Sequence, residues 1–484
     1  MDLLDRVTDV WPHLVGLLTL LIAALTSGHA ILHKRDSRAA VLWVGFIWLV
    51  PLLGPVLYLL LGINRIRRRA VSLRGSPARP PVLPAAALDS LPSADALLPD
   101  ALHLRSLAQL VGRVVGRPLI GGNSVEALVN GDVAYPAMLS AIAAARRTIS
   151  LSTYIFDNDR SGRLFVAALG NAVCRGVEVR VLIDDAGARY SWPSIIHPLR
   201  GARVPVGRFL PTFAPWRLMT MNLRNHRKIL VVDGSLGFTG GMNIREGNRV
   251  AEHPRRPVQD LHFRLAGPVV AQLQETFAAD WAFVTQESLR GENWFPPLDS
   301  KGTVMARAIP DGPDEDFEKL RLTILGALAC AQTSVVIVTP YFLPDPALIS
   351  ALNLAALRGV QVDIILPRES NLPFVHWASR AMWWQVLQRG CRVWLTPPPF
   401  DHSKLMLVDG YWALVGSANW DPRSLRLNFE FNLECYGREL AAQFENLIRL
   451  KLEHAEPVTL EQVDRRTLPV KLRDGVARLL TPYL

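Results

Sequence analysis

HRKILVVDG, residues 226–234, returns as HSKLMLVDG, residues 402–410, so His-x-Lys-x-x-x-x-Asp-Gly occurs twice with identical internal spacing, 176 positions apart. The residues after each Lys are apolar and include β-branched types, the composition of a buried strand that ends at an Asp-Gly turn. Strand side chains alternate between faces, so a His and a Lys two apart project to the same side. Each copy thus offers an imidazole and an ammonium to one space. An Asn stands 17 residues after each His, Asn243 in GFTGGMNI and Asn419 in ALVGSANW. Gly240 and Gly241 precede the first and Gly416 the second, as in a tight turn where backbone approaches a ligand. A carboxylate follows each, Asp260 in VQDLHF and Glu430 in LNFEFN. Matched satellites around both copies make coincidence on solvated strands a poor explanation.

Composition sets the surroundings. The chain has 484 residues, 50% of them hydrophobic, and a formal net charge of +10. A mean hydropathy of +0.18 and a pI near 9.7 suggest membrane segments and an anionic partner, lipid headgroup or nucleic acid. Cys174, Cys330, Cys391 and Cys435 are scattered without a C-x-x-C pair, which indicates neither a zinc site nor a disulfide framework.

Two long apolar runs, 11–32 and 39–61, each approach the roughly 20 residues that cross a bilayer. We expect two transmembrane helices within a 1–70 anchor, the second kinked by Pro51 and Pro55. The acidic DLLDRVTDV ahead of the first run argues against a cleaved signal peptide. Lys34, Arg35 and Arg38 lie in the hairpin, but Arg65, Arg67, Arg68, Arg69, Arg74 and Arg79 outnumber them after the second run, so both ends are expected in the cytoplasm. Residues 71–101 read as a Pro-rich linker.

Beyond the linker the chain repeats itself. RTISLSTYIFDND (147–159) leads through a helix to RGVEVRVLIDDAG (175–187), and TSVVIVTPYFLPD (333–345) leads through a helix to RGVQVDIILP (358–367). These matching strand-helix-strand units predict two homologous α/β domains, 102–290 and 300–484, the second carrying the C-terminal tail. Each contributes one histidine, so the site is expected at their interface, across a pseudo-twofold axis.

No Walker loop, G-x-S-x-G elbow or H-E-x-x-H helix competes. Two imidazoles beside two ammonium groups suit a metal-independent phosphodiester site. Lys228 and Lys404 would neutralise non-bridging oxygens, and Asn243 and Asn419 would donate to them as charge builds. One histidine attacks phosphorus while the other protonates the leaving alcohol and later deprotonates the incoming one. Carboxylates at Asp260 and Glu430 would fix the ring tautomers. Asp233 and Asp409 close each motif and join the catalytic set, although their place before Gly at strand ends favours turn structure. Arg224 and Asn225 are candidate phosphate contacts. His262, two residues after Asp260, could line the site or be structural; His197, His253 and His376 lack a matching pattern. FVHWASRAMWWQVLQRG (374–390) predicts a Trp-bearing helix suited either to the core or to the bilayer interface, and the basic amphipathic tail 468–484 suits interdomain packing or a membrane surface.

The doubled motif with its Gly-Gly-x-Asn and Gly-Ser-x-Asn followers resembles the phospholipase D superfamily and, within it, the bacterial cardiolipin synthases. The apolar runs containing HAIL and PLLGPVLYLLLGINR look like that family's anchor. NLRNHRKILVVDG, GFTGGMNI, QDLHFRLAGPVV, FAADW and GSANWDPRSLRLNFEFNLE look like its catalytic segments, and ARLLTPYL like its C-terminus. The resemblance implies a nucleophile and an acid/base at His226 and His402, phosphate binding by Lys228, Lys404, Asn243, Asn419 and Ser417, and ring-orienting carboxylates at Asp260 and Glu430, with no metal and no cofactor. One departure is that Asp260 lies 34 residues after its His and Glu430 only 28. The implied reaction is phosphatidyl transfer from one phosphatidylglycerol to another, giving cardiolipin and glycerol, in a multi-pass protein of the bacterial inner membrane. Its partners would be phosphatidylglycerol and the membrane, with no nucleic acid. A phospholipase D hydrolysing the same intermediate, or a nuclease on the same motif, remains as the alternative. The sequence leaves open which histidine is the nucleophile and what the oligomeric state is.

Overall fold

The computed structural model of the chain describes residues 2–34, 37–59, 101–211, 223–313 and 318–481. Apart from Ala101, the linker at 71–101 lies outside the described residues, as does the arginine-rich flank at 65–79. The chain divides into two compact units, Met1–Arg69 and Ala70–Leu484.

The N-terminal unit is a helical hairpin. Asp2–His33 is one helix, and within it His13–His33 has a mean hydropathy of 2.0 and is long and apolar enough to cross a membrane. Leu14, Leu17, Leu18, Leu21 and Leu25 are exposed, while Ala23, Thr26, Ser27 and Ala30 are buried beside Ile47 and Tyr58. Small residues let the two segments approach closely, and leucines face outward, the pattern of helices packed in lipid. Among the described residues only the first run forms a single helix long and apolar enough to cross a membrane; the second, expected to kink at Pro51 and Pro55, is broken there. Helix Ser37–Leu49 stops, the chain turns through Val50–Leu52, and a short helix Leu53–Leu57 follows. Pro51 and Pro55 lie at and after this break, where each lacks the N–H that a continuing helix would use.

The second unit is built on one sheet. Its first half supplies β1 (Ile120–Val129), β2 (Thr148–Thr153), β3 (Glu178–Asp184), β4 (Val206–Phe209), β5 (Ile229–Val232), β6 (Leu236–Gly240), β7 (Val258–Gln259) and β8 (Leu261–Ala266). The second half supplies β9 (Val304–Asp311), β10 (Ser334–Val338), β11 (Gln361–Pro367), β12 (Arg392–Thr396), β13 (Phe400–Asp401), β14 (Leu405–Val408), β15 (Trp412–Gly416), β16 (Glu430–Tyr436) and β17 (Glu456–Val458). Fifteen of these form a continuous sheet in the order β17-β12-β11-β10-β14-β15-β16-β9-β1-β8-β6-β5-β2-β3-β4. Read outward from the antiparallel β9–β1 pair, the two sides repeat each other strand for strand, and β17 adds an edge.

Local sequence explains the repeat. β5 and β14 are wholly buried, as ILVV and LMLV require. Asp233 and Gly234, and likewise Asp409 and Gly410, adopt positive φ, which turns each strand back into β6 or β15. Parallel pairs β2–β3 and β10–β11 are joined by helices Arg160–Cys174 and Pro346–Leu357. Asp159 and Asp345 cap those helices by accepting from their first-turn N–H groups. One apolar core lies within the first half, a second in the second half takes in Leu107, Val111 and Val115 of helix Arg105–Val115, and a third is shared: Phe263 meets Phe444 edge-on at 5.8 Å, among residues of β5, β8, β14 and β16.

Candidate active site

Each His-Lys segment crosses to the opposite half. The His226 N–H donates to the Phe429 carbonyl at 2.9 Å, and the Phe429 N–H donates to the Arg224 carbonyl at 2.8 Å. In the mirror position β13 pairs with β7, and the His402 N–H donates to the Gln259 carbonyl at 2.7 Å. The residue after each acceptor is the carboxylate. Hence Glu430 receives His226 Nδ1 at 3.0 Å, and Asp260 receives His402 Nδ1 at 2.7 Å. The unequal 34- and 28-residue spacings therefore set no geometry, because each carboxylate serves the other half's ring. Both carboxylates are almost wholly buried, whereas the His226 and His402 side chains keep 11% and 13% exposure. With Nδ1 bound to a carboxylate, Nε2 of each ring is left to react.

The two carboxylates are seated differently. Gly240 and Gly416, at φ of 150° and 156°, bring each turn against the backbone just after the carboxylate, where any Cβ would strike Leu261 or Phe431. At the next position Ser417 donates its hydroxyl to Glu430, whereas a Cβ on Gly241 would lie 2.3 Å from Asp260 Oδ1. The shorter Asp thus stands closer to a turn that has only hydrogen there. The longer Glu takes a hydroxyl instead.

Lys228 Nζ donates to the His226 carbonyl at 2.7 Å, and Lys404 Nζ donates to that of His402. Burial pushes Lys228 down to about 7, with Glu430 opposing and Lys404 adding to the fall; burial pushes Lys404 down to about 8 against Asp260 and Glu430. Burial also lowers His226, opposed by Glu430, and lowers His402 well below the imidazole range, aided by Lys404, Lys228 and His226. All four bases sit within one another's fields, so the cluster resists carrying several protons without an anion. Burial raises Asp260 to about 6, whereas for Glu430 the pull of His226, Lys228 and Ser417 exceeds the burial effect and holds it below the usual range. The site is therefore chemically unequal despite its symmetry.

The other sequence-marked residues divide clearly. Asn243 Oδ1 accepts the Ile155 N–H at 3.1 Å, which fixes the side chain and leaves its NH₂ as donor. Asn419 is 6% exposed, and its amide interacts with Asp421, the cap of helix Pro422–Arg426. Asp233 and Asp409 are not brought to the site. They stand past the far ends of β5 and β14, roughly 20 Å along extended chain from the histidines. Asp233 accepts the N–H groups of Arg146, Arg147 and Thr148, and Asp409 those of Gln332, Thr333 and Ser334, which ties each hairpin to the start of β2 or β10. Asn225 is also committed elsewhere: its amide donates to Asp280 and its oxygen accepts the Arg227 N–H, beneath the site. Arg227, almost wholly buried, forms two bonds to Asp280 and one to the Glu430 carbonyl, which braces the crossing from below. In the other half Asp401 accepts from Lys451 at 2.6 Å, the same brace with the charges exchanged. His262 is buried and pushed down to about 4 by burial.

Sequence reasoning missed two tyrosines. Tyr154 meets the His226 ring edge-on at 5.1 Å with Lys228 over its face at 5.5 Å, and Tyr341 meets His402 at 6.4 Å. Their signal lay in STYIFD and TPYFLPD, the two matching strand ends that carry them. The expected Trp helix is interrupted at Ala381–Met382, giving Pro373–Arg380 and Trp383–Leu387, with Trp383 turned inward to bond Ser379.

Residues 138–281 and 324–450 match the family model described as "Cardiolipin synthase, PLD-like domain", and residues 20–62 match "Phospholipase_D-nuclease N-terminal". The chain is 31% identical to the cardiolipin synthase of Geobacillus thermodenitrificans over 100% of its own length and 97% of that protein's. It is 34% identical to a cardiolipin synthase A of Pseudomonas putida over 98% of both. Among solved structures, phosphatidylserine synthase of Haemophilus influenzae superposes with a TM-score of 0.61 at 16% identity, covering 78% of this chain and 100% of that one, a likeness of fold.

Proposed function

The chain belongs to the cardiolipin synthase family of phospholipase D-like proteins, and from that premise we propose that it transfers a phosphatidyl group between two phosphatidylglycerol molecules through a phospho-histidine. The observation that carries this reading is the reciprocal pairing of His226 with Glu430 and His402 with Asp260 across the two halves. In the first half-reaction, Nε2 of one histidine forms the bond to phosphorus while the bond to the glycerol oxygen breaks. The other histidine supplies that oxygen's proton. In the second, the now neutral ring takes the proton from a hydroxyl of a second phosphatidylglycerol, whose oxygen displaces the first histidine. Cardiolipin leaves, and the proton count is restored.

Burial pushes Lys228 and Lys404 down to about 7 and 8, so a phosphodiester anion beside them favours their charged forms and is neutralised where charge develops. Asn243 and Asn419 donate amide hydrogens at the same oxygens, and Ser417 acts through Glu430. Asp233 and Asp409 serve the hairpins, a structural part within the motif. We place the homologous halves at 102–290 and 300–484 and read the N-terminal unit as a membrane hairpin with both ends cytoplasmic, supported by the arginine excess after the second apolar run. Transfer to water instead of lipid would give phosphatidic acid from the same intermediate.

The test is product analysis by mass after incubation of the detergent-solubilised full chain with phosphatidylglycerol and chelator, beside His226→Ala and His402→Ala. Cardiolipin plus glycerol from the wild type alone supports the reading. Phosphatidic acid as the main product would replace it with hydrolysis, and no lipid turnover at all would refute it.

A further inference from the structure

Exposed apolar residues follow the tyrosine-bearing side of the site in both halves. After β3 the chain carries Tyr190, 6.1 Å from Tyr154, and then Trp192, which is 95% exposed. At the equivalent place after β11, Asn371 accepts from the Tyr341 hydroxyl at 2.7 Å, and exposed Leu372 and Phe374 follow it at once. Tyr154 and Tyr341 are the rings that edge His226 and His402, so Tyr190 and Asn371, which lead into the two apolar rims, are each joined to a site imidazole through one tyrosine.

The second rim continues onto the C-terminal helix, Leu468–Leu479. Phe374 packs on Trp377 at 5.2 Å, and the Arg473 guanidinium lies 4.5 Å over the Trp377 ring. On that helix Asp474 and Ala477 are buried, with Asp474 bound by Arg466 and Arg473. Leu468, Leu472, Val476 and Leu479 are all exposed, Leu479 at 73%. At about 100° per residue these four share an arc of roughly 80° opposite the packed side. Lys471 and Arg478 border that arc on one side and Arg473 on the other. An apolar ridge shouldered by cations matches a bilayer interface, where the ridge enters the acyl boundary and the cations reach anionic headgroups.

We propose that the Trp192 loop, the Leu372–Phe374 rim and the Leu468–Leu479 helix form one lipid-docking surface, whose occupant is an anionic bilayer and which presents the histidine pair to headgroups at the membrane interface. The inference rests on the phosphatidyl-transfer reading, which makes the substrate a bilayer lipid. It gives the C-terminal helix a part beyond packing against Pro373–Arg380.

The test uses the full chain reconstituted in phosphatidylglycerol–phosphatidylethanolamine vesicles, with Cys174→Ser and Cys330→Ser removing the more accessible thiols. Nitroxides are placed by Trp192→Cys, Leu472→Cys and Val476→Cys, and by Glu178→Cys at the opposite end of β3 as the aqueous reference. Collisional relaxation by oxygen and by a water-soluble nickel chelate reads lipid against water. Oxygen should dominate at 192, 472 and 476 and nickel at 178; nickel dominance at 472 and 476 would overturn the proposal. In parallel, Leu472→Glu/Val476→Glu should lower turnover of long-chain phosphatidylglycerol in vesicles by about 10-fold and leave turnover of a dispersed short-chain analogue unchanged. Equal turnover of both lipids by this variant and the wild type would overturn the docking surface alone. A wild type that turns over neither lipid would overturn the phosphatidyl-transfer reading.

Discussion

Replacing Gly241 by Ala tests how tightly the carboxylate behind His402 is held. The added Cβ would stand 2.3 Å from Asp260 Oδ1 and 2.9 Å from Oδ2, where an ordinary contact needs more than 3 Å. Gly241 does not occupy the left-handed region, so the backbone accepts alanine and the whole effect comes from the contact. The carboxylate must shift by ~1 Å, which disturbs both the 2.8 Å bond that Oδ1 accepts from the Leu261 N–H and the 2.7 Å bond of Oδ2 to His402 Nδ1. A displacement of about 1 Å at a reacting group costs on the order of 100-fold in turnover, and overpacking costs roughly 1–3 kcal/mol in stability. The assay is kcat on phosphatidylglycerol with thermal unfolding measured alongside, for Gly241→Ala, Asp260→Ala and the double variant. Because the clash needs the carboxylate, the double variant should match Asp260→Ala in turnover and recover the stability lost by Gly241→Ala. Gly241→Ala within threefold of wild type would refute the reasoning. So would a loss that persists undiminished in the Asp260→Ala background.

Three further outcomes follow from the same geometry. Glu430→Gln should lower kcat by about 100-fold or more by removing the anion that orients His226, while Ser417→Ala, which leaves the carboxylate in place, should cost no more than about 10-fold; steady-state kinetics on both decides. Asp409→Ala should lower stability by roughly 1–3 kcal/mol, because three backbone N–H groups lose their acceptor, and the folded protein should keep kcat within a few-fold, since the group lies at the far end of β14. Lys228 has a folded pKa of about 7 against 10.5 for the free group, so the cost of burying its charge is fully present below pH 7 and is relieved as pH rises toward 10.5. Between pH 7 and 9 the unfolding temperature of the wild type should therefore gain on that of Lys228→Met, and a constant difference across that range would contradict the assignment.

What the sequence disclosed was whatever repeats locally. The strands after Lys228 and Lys404, the Asp-Gly turns, and the two strand-helix-strand units all carry their own periodicity and turn chemistry, so the paired α/β halves could be read directly. The partner of each histidine could not. His226 meets Glu430 and His402 meets Asp260 because residues 225–226 and 400–402 lie along strand starts of the opposite half, a pairing across more than 140 positions that leaves no local trace. Asp233 and Asp409 sit inside the motif yet outside the site, since four strand residues carry them away from the histidines. Composition overestimated helix length at 374–390, where Ala381–Met382 interrupts the Trp helix, whereas the break at Val50–Leu52 falls where Pro51 and Pro55 predict a kink. The chain follows its backbone hydrogen bonds there, and apolar content alone does not report them.

The central claim is a covalent intermediate on one of two histidines with unlike duties. A short-chain phosphatidyl p-nitrophenol needs no proton to release its leaving group, so it separates the duties of His226→Ala and His402→Ala. The account predicts that one variant releases a single stoichiometric burst of nitrophenolate and then stalls, with its remaining histidine carrying the phosphatidyl mass after alkaline quench, while the other releases none. Steady turnover by both variants, or an adduct on any residue other than His226 or His402, would contradict it.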